Sequence, residues 1–166
     1  KETVYFDIKQ NKSTWDILKR GGKSIHYLQK AIVRAILSFA NSGGGYVIVG
    51  VNDDEEQIGL KRDIEIVQNK YECSYKKAKD MIIEGLTQEL INCNKLFAST
   101  HTHPTWIGEN KDILCYKIDG GFKDIVLHKK YPKIKRNNEG EIEFLEWDEN
   151  VHWIRIAGRT EKYSPQ

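Results

Sequence analysis

The chain has 166 residues, of which 39% are hydrophobic and 30% are charged, and its formal net charge is +2. This length and composition exclude a disordered tail and favour one globular domain over residues 1–166. The longest apolar run, Tyr46 to Val49, is far shorter than the roughly 20 residues that a transmembrane helix needs, so no membrane partner is expected.

The three cysteines form an odd set without a Cys-x-x-Cys pair: Cys73, Cys93 and Cys115. An odd count argues against a disulfide framework, and reduced thiols predict an intracellular, cytoplasmic protein. Because the chain begins at Lys1 and holds a single methionine, a removed targeting segment would leave no trace.

The first 40 residues predict one strand and one helix. Residues 4–8 alternate apolar side chains with more polar ones, as in a half-buried strand, and Gly21-Gly22 predict a loop. Ser24 is predicted to cap a helix that ends at Ala40. The apolar positions of this helix recur at spacings of three and four: Ile25, Leu28, Ile32, Ile36 and Phe39.

The remainder predicts a second helix among strands. Residues 46–51 are apolar with one glycine, Gly50, which is typical of a central strand buried on both faces, and residues 57–60 predict a short return strand. Ser74 begins a helix with Ala78, Met81, Ile82, Leu86 and Leu90 on one face. Further strands are predicted over residues 101–107, 112–118, 142–145 and 151–156, with a long loop over 122–140. The pattern predicts an α+β fold with mixed or antiparallel sheets packed with two main helices.

The run Ser42-Gly43-Gly44-Gly45 admits two interpretations. A phosphate-binding loop follows a strand and opens a helix, whereas these glycines follow a helix and open a strand. A tight turn that uses positive φ is therefore preferred to nucleotide binding.

Three sequence blocks carry a family resemblance. The central block, residues 35–53, reads Ala-Ile-Leu-Ser-Phe-Ala-Asn-Ser-Gly-Gly-Gly-Tyr-Val-Ile-Val-Gly-Val-Asn-Asp and resembles the Schlafen-type AlbA-like domain. The opening residues 2–9 resemble the family's Glu-Ser-x-x-x-Glu-Phe-Lys, and residues 153–160 are similar to its closing Tyr-x-Arg-x-Gly-Ser-Thr strand. The blocks bracket residues 2–160, so the resemblance implies a single lobe of the kind from which larger Schlafen cores are built.

The resemblance implies two alternative functions. Some Schlafen proteins are metal-dependent endoribonucleases that cut structured RNA such as tRNA, while many prokaryotic relatives are regarded as DNA- or RNA-binding modules. The acids of the nuclease members fall on Glu2, Asp7 and Asp53, and the motif lysine falls on Lys9. Asp7 replaces the family's Glu and Asn52 replaces the first Asp of its Gly-Val-Asp-Asp. A homodimer that restores the two-lobed groove is a further expectation.

Carboxylates suit Mg²⁺ or Mn²⁺, which stabilise the charge that develops in phosphodiester hydrolysis. The alternative is that Glu2, Asp7 and Asp53 are solvated surface acids. If they form one metal site, their carboxylates converge within about 6 Å, which requires Glu2 to lie on a bend before the first strand. Lys9 then holds the scissile phosphate or pairs with Asp7.

A basic stretch marks the predicted loop. The candidate nucleic-acid contacts here are Lys129, Lys130, Tyr131, Lys133, Lys135 and Arg136, with Tyr131 expected to stack on an unpaired base. The alternative is a solvated loop that the acids of residues 139–149 neutralise. A weaker second patch comprises Lys19, Arg20 and Lys23, and Arg155 or Arg159 is expected to contact RNA or to pack against sheet acids.

Two other kinds of site receive less support. His101, His103 and Cys115 offer soft ligands on neighbouring predicted strands, but a zinc site needs four ligands, so ordinary strand residues are preferred. The four tryptophans are expected to pack in the core or at its edge rather than to form base platforms: Trp15, Trp106, Trp147 and Trp153. A third functional class, a protein-interaction or nucleotide-sensing domain, also stays open.

Overall fold

The computed structural model of the chain describes residues 2–6, 17–20, 23–52, 54–140 and 142–164, with the backbone alone for 17–20, 23–26 and 142. In chain order the described elements are β1 (Thr3–Phe6), β2 (Ile17–Arg20), β3 (Lys23–His26), α1 (Tyr27–Ala40), β4 (Gly44–Val49), α2 (Lys61–Tyr71), α3 (Tyr75–Cys93), α4 (Lys95–His101), β5 (Thr102–Ile107), β6 (Ile113–Asp119), β7 (His128–Arg136), β8 (Ile142–Val151), β9 (Trp153–Ile156) and β10 (Arg159–Lys162). The predicted α+β class is confirmed.

A four-stranded mixed sheet lies at the centre, with the strand order β1-β4-β6-β5. β1 runs parallel to β4, while β6 runs antiparallel to both of its neighbours, β4 and β5. Three hairpins accompany this sheet, and they pair β2 with β3, β7 with β8, and β9 with β10.

One face of the central sheet, the inner face, packs on α1 and contributes to the main hydrophobic core. Val47 and Val49 of β4 are buried there with Leu114 and Tyr116 of β6. Burial of this apolar surface is the main force that holds helix and sheet together. The alternate residues of β4, Tyr46 and Ile48, are only half-buried, so the prediction of burial on both faces was wrong.

The structure confirms one predicted terminus of each main helix. α3 begins after Ser74, whose side chain accepts a hydrogen bond from the backbone N–H of Lys77 at 3.0 Å. α1 ends at Ala40 as predicted, but it begins at Tyr27. The predicted helix cap at Ser24 was wrong. Ser24 lies in β3, where it pairs with Lys19 of β2.

The structure differs from the predicted elements in four further places, where contacts between residues distant in sequence decide the local structure. The predicted loop over 122–140 contains β7, because the strand pairs with β8. The predicted strand over 57–60 is reduced to a single bridge between Val51 and Gln57. The described residues also include two helices beyond the predicted pair, α2 and α4.

Among the described helices, none combines the length and apolarity needed to cross a bilayer.

The first turn of α2 places an acid where water does not reach it. Asp63 is 3% exposed and its Oδ1 has no hydrogen-bond partner. Burial raises the pKa of Asp63 to about 7, partly offset by a hydrogen bond to its own backbone and by Arg62. The folded chain therefore holds a proton on this carboxyl that the unfolded chain releases near pH 4.

We expect Asp63→Asn to change how stability depends on pH. In the natural chain the free energy of unfolding falls as pH rises from about 4 to 7, because the unfolded state ionises first. The amide does not titrate, so the variant should gain about 2–4 kcal/mol relative to the natural chain between pH 4 and pH 8. Urea unfolding at both pH values measures this, with Glu65→Gln on the exposed side of α2 as the control. A parallel pH response of Asp63→Asn and the natural chain would contradict the assignment.

Candidate functional site

The glycine run at the end of α1 forms a tight turn, as preferred from its sequence. Gly43 and Gly44 have φ values of +106° and +88°. A Cβ on Gly44 would lie 2.6 Å from the backbone nitrogen of Gly120, so the paired backbones leave no room for a side chain there. The glycines therefore serve chain packing, and the topology of a phosphate-binding loop is absent from this turn.

Asn41, the residue before the glycines, ties three segments together. Its side-chain amide donates to the carbonyls of Val126 and Trp153, both at 3.0 Å, and its side-chain oxygen accepts from the N–H of Val126 at 2.9 Å. The central and closing sequence blocks thus meet through one side chain.

Arg155 of β9 joins the closing block to the opening block. Its guanidinium donates to both carboxylate oxygens of Glu2, at 2.8 and 2.9 Å, and to Thr160 Oγ1 at 2.9 Å. Its backbone N–H donates to Ser42 Oγ at 3.0 Å. The hydrogen bonds from Arg155 lower the pKa of Glu2, so the carboxylate stays ionised. Of the two alternatives for Arg155, the structure has it packed against a sheet acid, and Arg159 pairs with Glu161 at 3.3 Å.

Glu2 does not lie on the bend that a shared metal site requires. Its carbonyl oxygen accepts from the N–H of Tyr46 at 3.0 Å, which continues the parallel ladder of β1 and β4. At the other end of that ladder, Gly50 donates to the carbonyl of Phe6 at 3.1 Å. Tyr46 and Gly50, the hydrogen-bond partners of Glu2 and Phe6, are four residues apart, which is about 13 Å along a strand. The backbone of Glu2 is therefore about that far from the end of β1, whereas a metal ligand lies about 2 Å from its ion.

Asp7, Lys9 and Asp53 lie outside the described residues, so their convergence stays a prediction. The described neighbours of position 53 form a polar turn at the carboxyl end of β4. Asn52 Oδ1 accepts from the N–H groups of Asp54 and Glu56, at 3.0 and 2.8 Å. The turn is therefore organised by a side chain on the same sheet edge at which β1 ends.

The basic stretch lies on a strand, and acids of β8 face it. Lys133 bonds to Glu146 at 3.0 Å and lies 3.8 Å from Asp148, while Lys135 lies 3.5 Å from Glu143. The hydrogen bond from Glu146 and the charge of Asp148 raise the pKa of Lys133. Cross-strand pairs thus neutralise part of the stretch, as the alternative interpretation expected for a loop.

Three other members of the stretch make different contacts. Arg136 donates to the carbonyl of Gly140 at 3.0 Å, and Lys130 lies over the ring of Trp147. Tyr131 is 7% exposed and packs edge-on against Trp153, so the prediction that it stacks on an unpaired base was wrong. The side chains of the second patch, Lys19, Arg20 and Lys23, lie outside the described ones.

The histidines considered for zinc do not share a strand. His101 ends α4, with its ring against Phe97 and Phe122, whereas His103 lies in β5. His103 Nε2 lies 2.6 Å from Asp119 Oδ2. Cys115 lies on β6 opposite Thr105, two register positions from Lys117, which is the partner of His103.

A different set of metal-ligating side chains meets between α3 and β7. The ligand atoms of Glu89, Cys93 and His128 all lie within 4.8 Å of one another. Trp153 donates its indole N–H to His128 Nδ1 at 3.1 Å, so the proton of the neutral ring belongs on Nε2, which faces Glu89 at 3.1 Å. Lys30 bonds to the same carboxylate.

This donor set does not fit a metal ion. A ligating Nε2 would need its proton on Nδ1, where the indole N–H already points. Burial lowers the pKa of His128 and raises that of Cys93, which disfavours both the imidazolium and the thiolate. Burial alone would raise the pKa of Glu89, but hydrogen bonds from His128 and Lys30 lower it. Sequence reasoning missed this network because only the Glu89–Cys93 spacing is local.

Comparison with known proteins agrees with the placement of the three sequence blocks. The family model described as Schlafen, AlbA_2 matches residues 2–164. No curated protein and no solved structure matches the chain. The match covers nearly the whole chain and includes Asn41, Arg155 and Thr160, which connect the blocks in space. The chain therefore belongs to the Schlafen, AlbA_2 family, whose domains are associated with nucleic acids.

Proposed function

We propose that the chain is a divalent-metal-dependent endoribonuclease that acts on structured RNA such as tRNA. The observation that carries the proposal is the parallel pairing of β1 with β4, which ends with Phe6 beside Val49. Asp7 follows the first strand directly, and Asp53 follows the second after three residues. The two acids therefore follow, along the chain, strands that end at the same edge of the sheet.

The chemistry of this pair suits magnesium or manganese. Mg²⁺ is commonly held by one or two carboxylates together with substrate phosphates, so Asp7 and Asp53 are sufficient ligands. When bound, the ion would stabilise negative charge on the attacking and leaving oxygens of the phosphodiester. Lys9 lies two positions beyond Asp7 and is proposed to hold the scissile phosphate.

Glu2 has a different proposed role in this account. The family resemblance implies that it is a third ligand, but both of its oxygens bond to Arg155 at the opposite end of β1. We infer that Glu2 fastens β1 to β9. Glu2→Gln should then lower the free energy of unfolding and leave the affinity for Mn²⁺ nearly unchanged.

The test is incubation of the chain with tRNA and Mn²⁺ or Mg²⁺, with and without a chelator. Fragments that disappear when the chelator is present support the nuclease. A gel shift without fragments, at any metal concentration, would overturn it and support the second candidate, a non-catalytic DNA- or RNA-binding module. That module is favoured by one observation, the engagement of Glu2 away from the proposed metal edge.

Three accompanying expectations belong to the same proposal. Residues 1–166 act as one domain, and action on tRNA places that domain in the cytoplasm. A homodimer would supply the second lobe of an RNA-sized groove. Light scattering with and without RNA tests the last point, and a molar mass near the 19.3 kDa of one chain in both conditions would contradict it.

The β7–β8 hairpin offers a matched test of its role in RNA binding. Lys133 and Lys135 have carboxylates within 4 Å, whereas no such pair in the described part of the chain involves the exposed Lys129 or Lys130. If the hairpin contacts RNA, replacing Lys129 and Lys130 by Gln should flatten the dependence of log K on log salt by about 1–2. Replacing Lys133 and Lys135 should flatten it by less than about 1, because their charges are already neutralised. Equal slopes for both double variants and the natural chain would remove the hairpin from the interface.

A further inference from the structure

The outer face of the central sheet, opposite α1, does not belong to the hydrophobic core. Its residues alternate with those of the inner face, and Tyr5, Tyr46, Ile48 and Cys115 are half-buried. None of them is among the residues that form the core cluster or pack against it. In the described part of the chain this sheet therefore presents one open face.

Strand register places the side chains of this face in two rows. Tyr5 lies beside Ile48, which lies beside Cys115. In the next row Tyr46 lies beside Lys117, which lies beside His103. The two tyrosines are thus diagonal neighbours on adjacent strands, roughly 8 Å apart by strand geometry.

The chemistry of these rows matches single-stranded nucleic acid. Neither tyrosine ring stacks on another aromatic ring of the described residues. Lys117 is exposed beside Tyr46, and neither row contains an acid, although the chain has 24. Asp119, the nearest acid along β6, bonds to His103. Aromatic side chains on an open sheet with cations beside them stack bases and hold phosphates.

We propose that the outer face binds single-stranded RNA, with unpaired bases stacked on Tyr5 and Tyr46 and a phosphate held by Lys117. The inference rests on the proposed function in one respect, that the partner is RNA. The row of Tyr5 and Ile48 lies directly before Phe6 and Val49, the last paired residues of β1 and β4, so a segment bound here leads to the edge of the sheet at which both strands end. The loops and ends of a structured RNA supply such unpaired segments.

The test measures fluorescence anisotropy of a labelled single-stranded RNA of about ten nucleotides, in chelator so that cleavage does not interfere. Tyr5→Leu and Tyr46→Leu should each weaken binding roughly tenfold, because the stacked ring is lost. Tyr46→Phe keeps the ring and should bind like the natural chain. Lys117→Gln should flatten the salt dependence by about 0.7, the value for one phosphate of a single strand. Tyr71→Leu, which removes an exposed tyrosine of α2, is the matched control.

The outcomes separate this proposal from its alternatives. Equal binding by the natural chain and all the tyrosine variants, with unchanged unfolding curves, would overturn it. If Tyr46→Leu lowers the molar mass in light scattering and leaves RNA binding unchanged, the face is an interface with a second copy, and the proposal is also overturned. An Asp53→Asn chain that no longer cleaves but still needs both tyrosines to bind RNA would support this face independently of catalysis.

Discussion

Asp53→Asn should abolish metal-dependent cleavage of tRNA while leaving RNA affinity unchanged. The amide keeps the size of the side chain but removes the negative charge that a hard cation requires. With one of two proposed carboxylates lost, the cleavage rate should fall roughly 100-fold or more, the range seen when one group that stabilises the transition state is removed. Gel analysis of tRNA fragments in Mn²⁺ measures the rate, and anisotropy in chelator measures the affinity.

The neighbouring acid supplies the control. Asp54 is exposed in the same turn, and its backbone N–H bonds to Asn52, so Asp54→Asn changes the local charge equally without touching the proposed ligand. Titration of Mn²⁺ followed by calorimetry should show weaker binding in Asp53→Asn alone. Full cleavage by Asp53→Asn, or equal losses in both variants, would contradict the assignment of Asp53.

Gly44→Ala should destabilise the fold by roughly 3–5 kcal/mol. A Cβ at this position would lie 2.6 Å from both the nitrogen of Gly120 and the carbonyl oxygen of Ile118. Both contacts are with backbone, so relief requires β4 and β6 to separate, and the φ of +88° adds strain of its own. Urea unfolding followed by circular dichroism measures the loss.

Gly43→Ala separates the two contributions. Gly43 also has a positive φ, +106°, but a Cβ there would have nothing within 4 Å. Its replacement should therefore cost only the conformational strain, about 1–2 kcal/mol. Similar losses in the two variants would show that strain rather than close backbone approach explains the glycine at position 44.

The elements that sequence predicted well are those whose stabilising contacts repeat along one face. α1 and α3 carry apolar residues at helical spacing, and their predicted ends at Ala40 and Ser74 agree with the structure because local signals mark both, glycines in one case and a capping serine in the other. The glycine turn was predictable for the same reason, since a helix before it and a strand after it are both evident locally.

The elements that were missed depend on partners distant in sequence. The sequence of β7 indicates a charged loop, but the segment is a strand because it pairs with β8, whose acids lie opposite its lysines. α2 buries only Asp63 and Ile64, so its sequence has no apolar stripe from which a helix could be predicted. Tyr131 shows the same limit at a single residue, because its charged neighbours along the chain indicate exposure while the ring packs on Trp153.

By itself, the amino-acid sequence determined the family and the α+β class and proposed the acids for metal binding, because motif spacing and helical periodicity are properties of the linear chain. Only the tertiary structure decided that Arg155 engages Glu2, that β8 neutralises part of the basic stretch, and that Tyr5 and Tyr46 share an open face. Each of these depends on which strands pair and in which register, and the two charge contacts also depend on groups brought within a few ångströms in space. Since electrostatic and packing energies depend on distance in space rather than along the chain, no local pattern contains them.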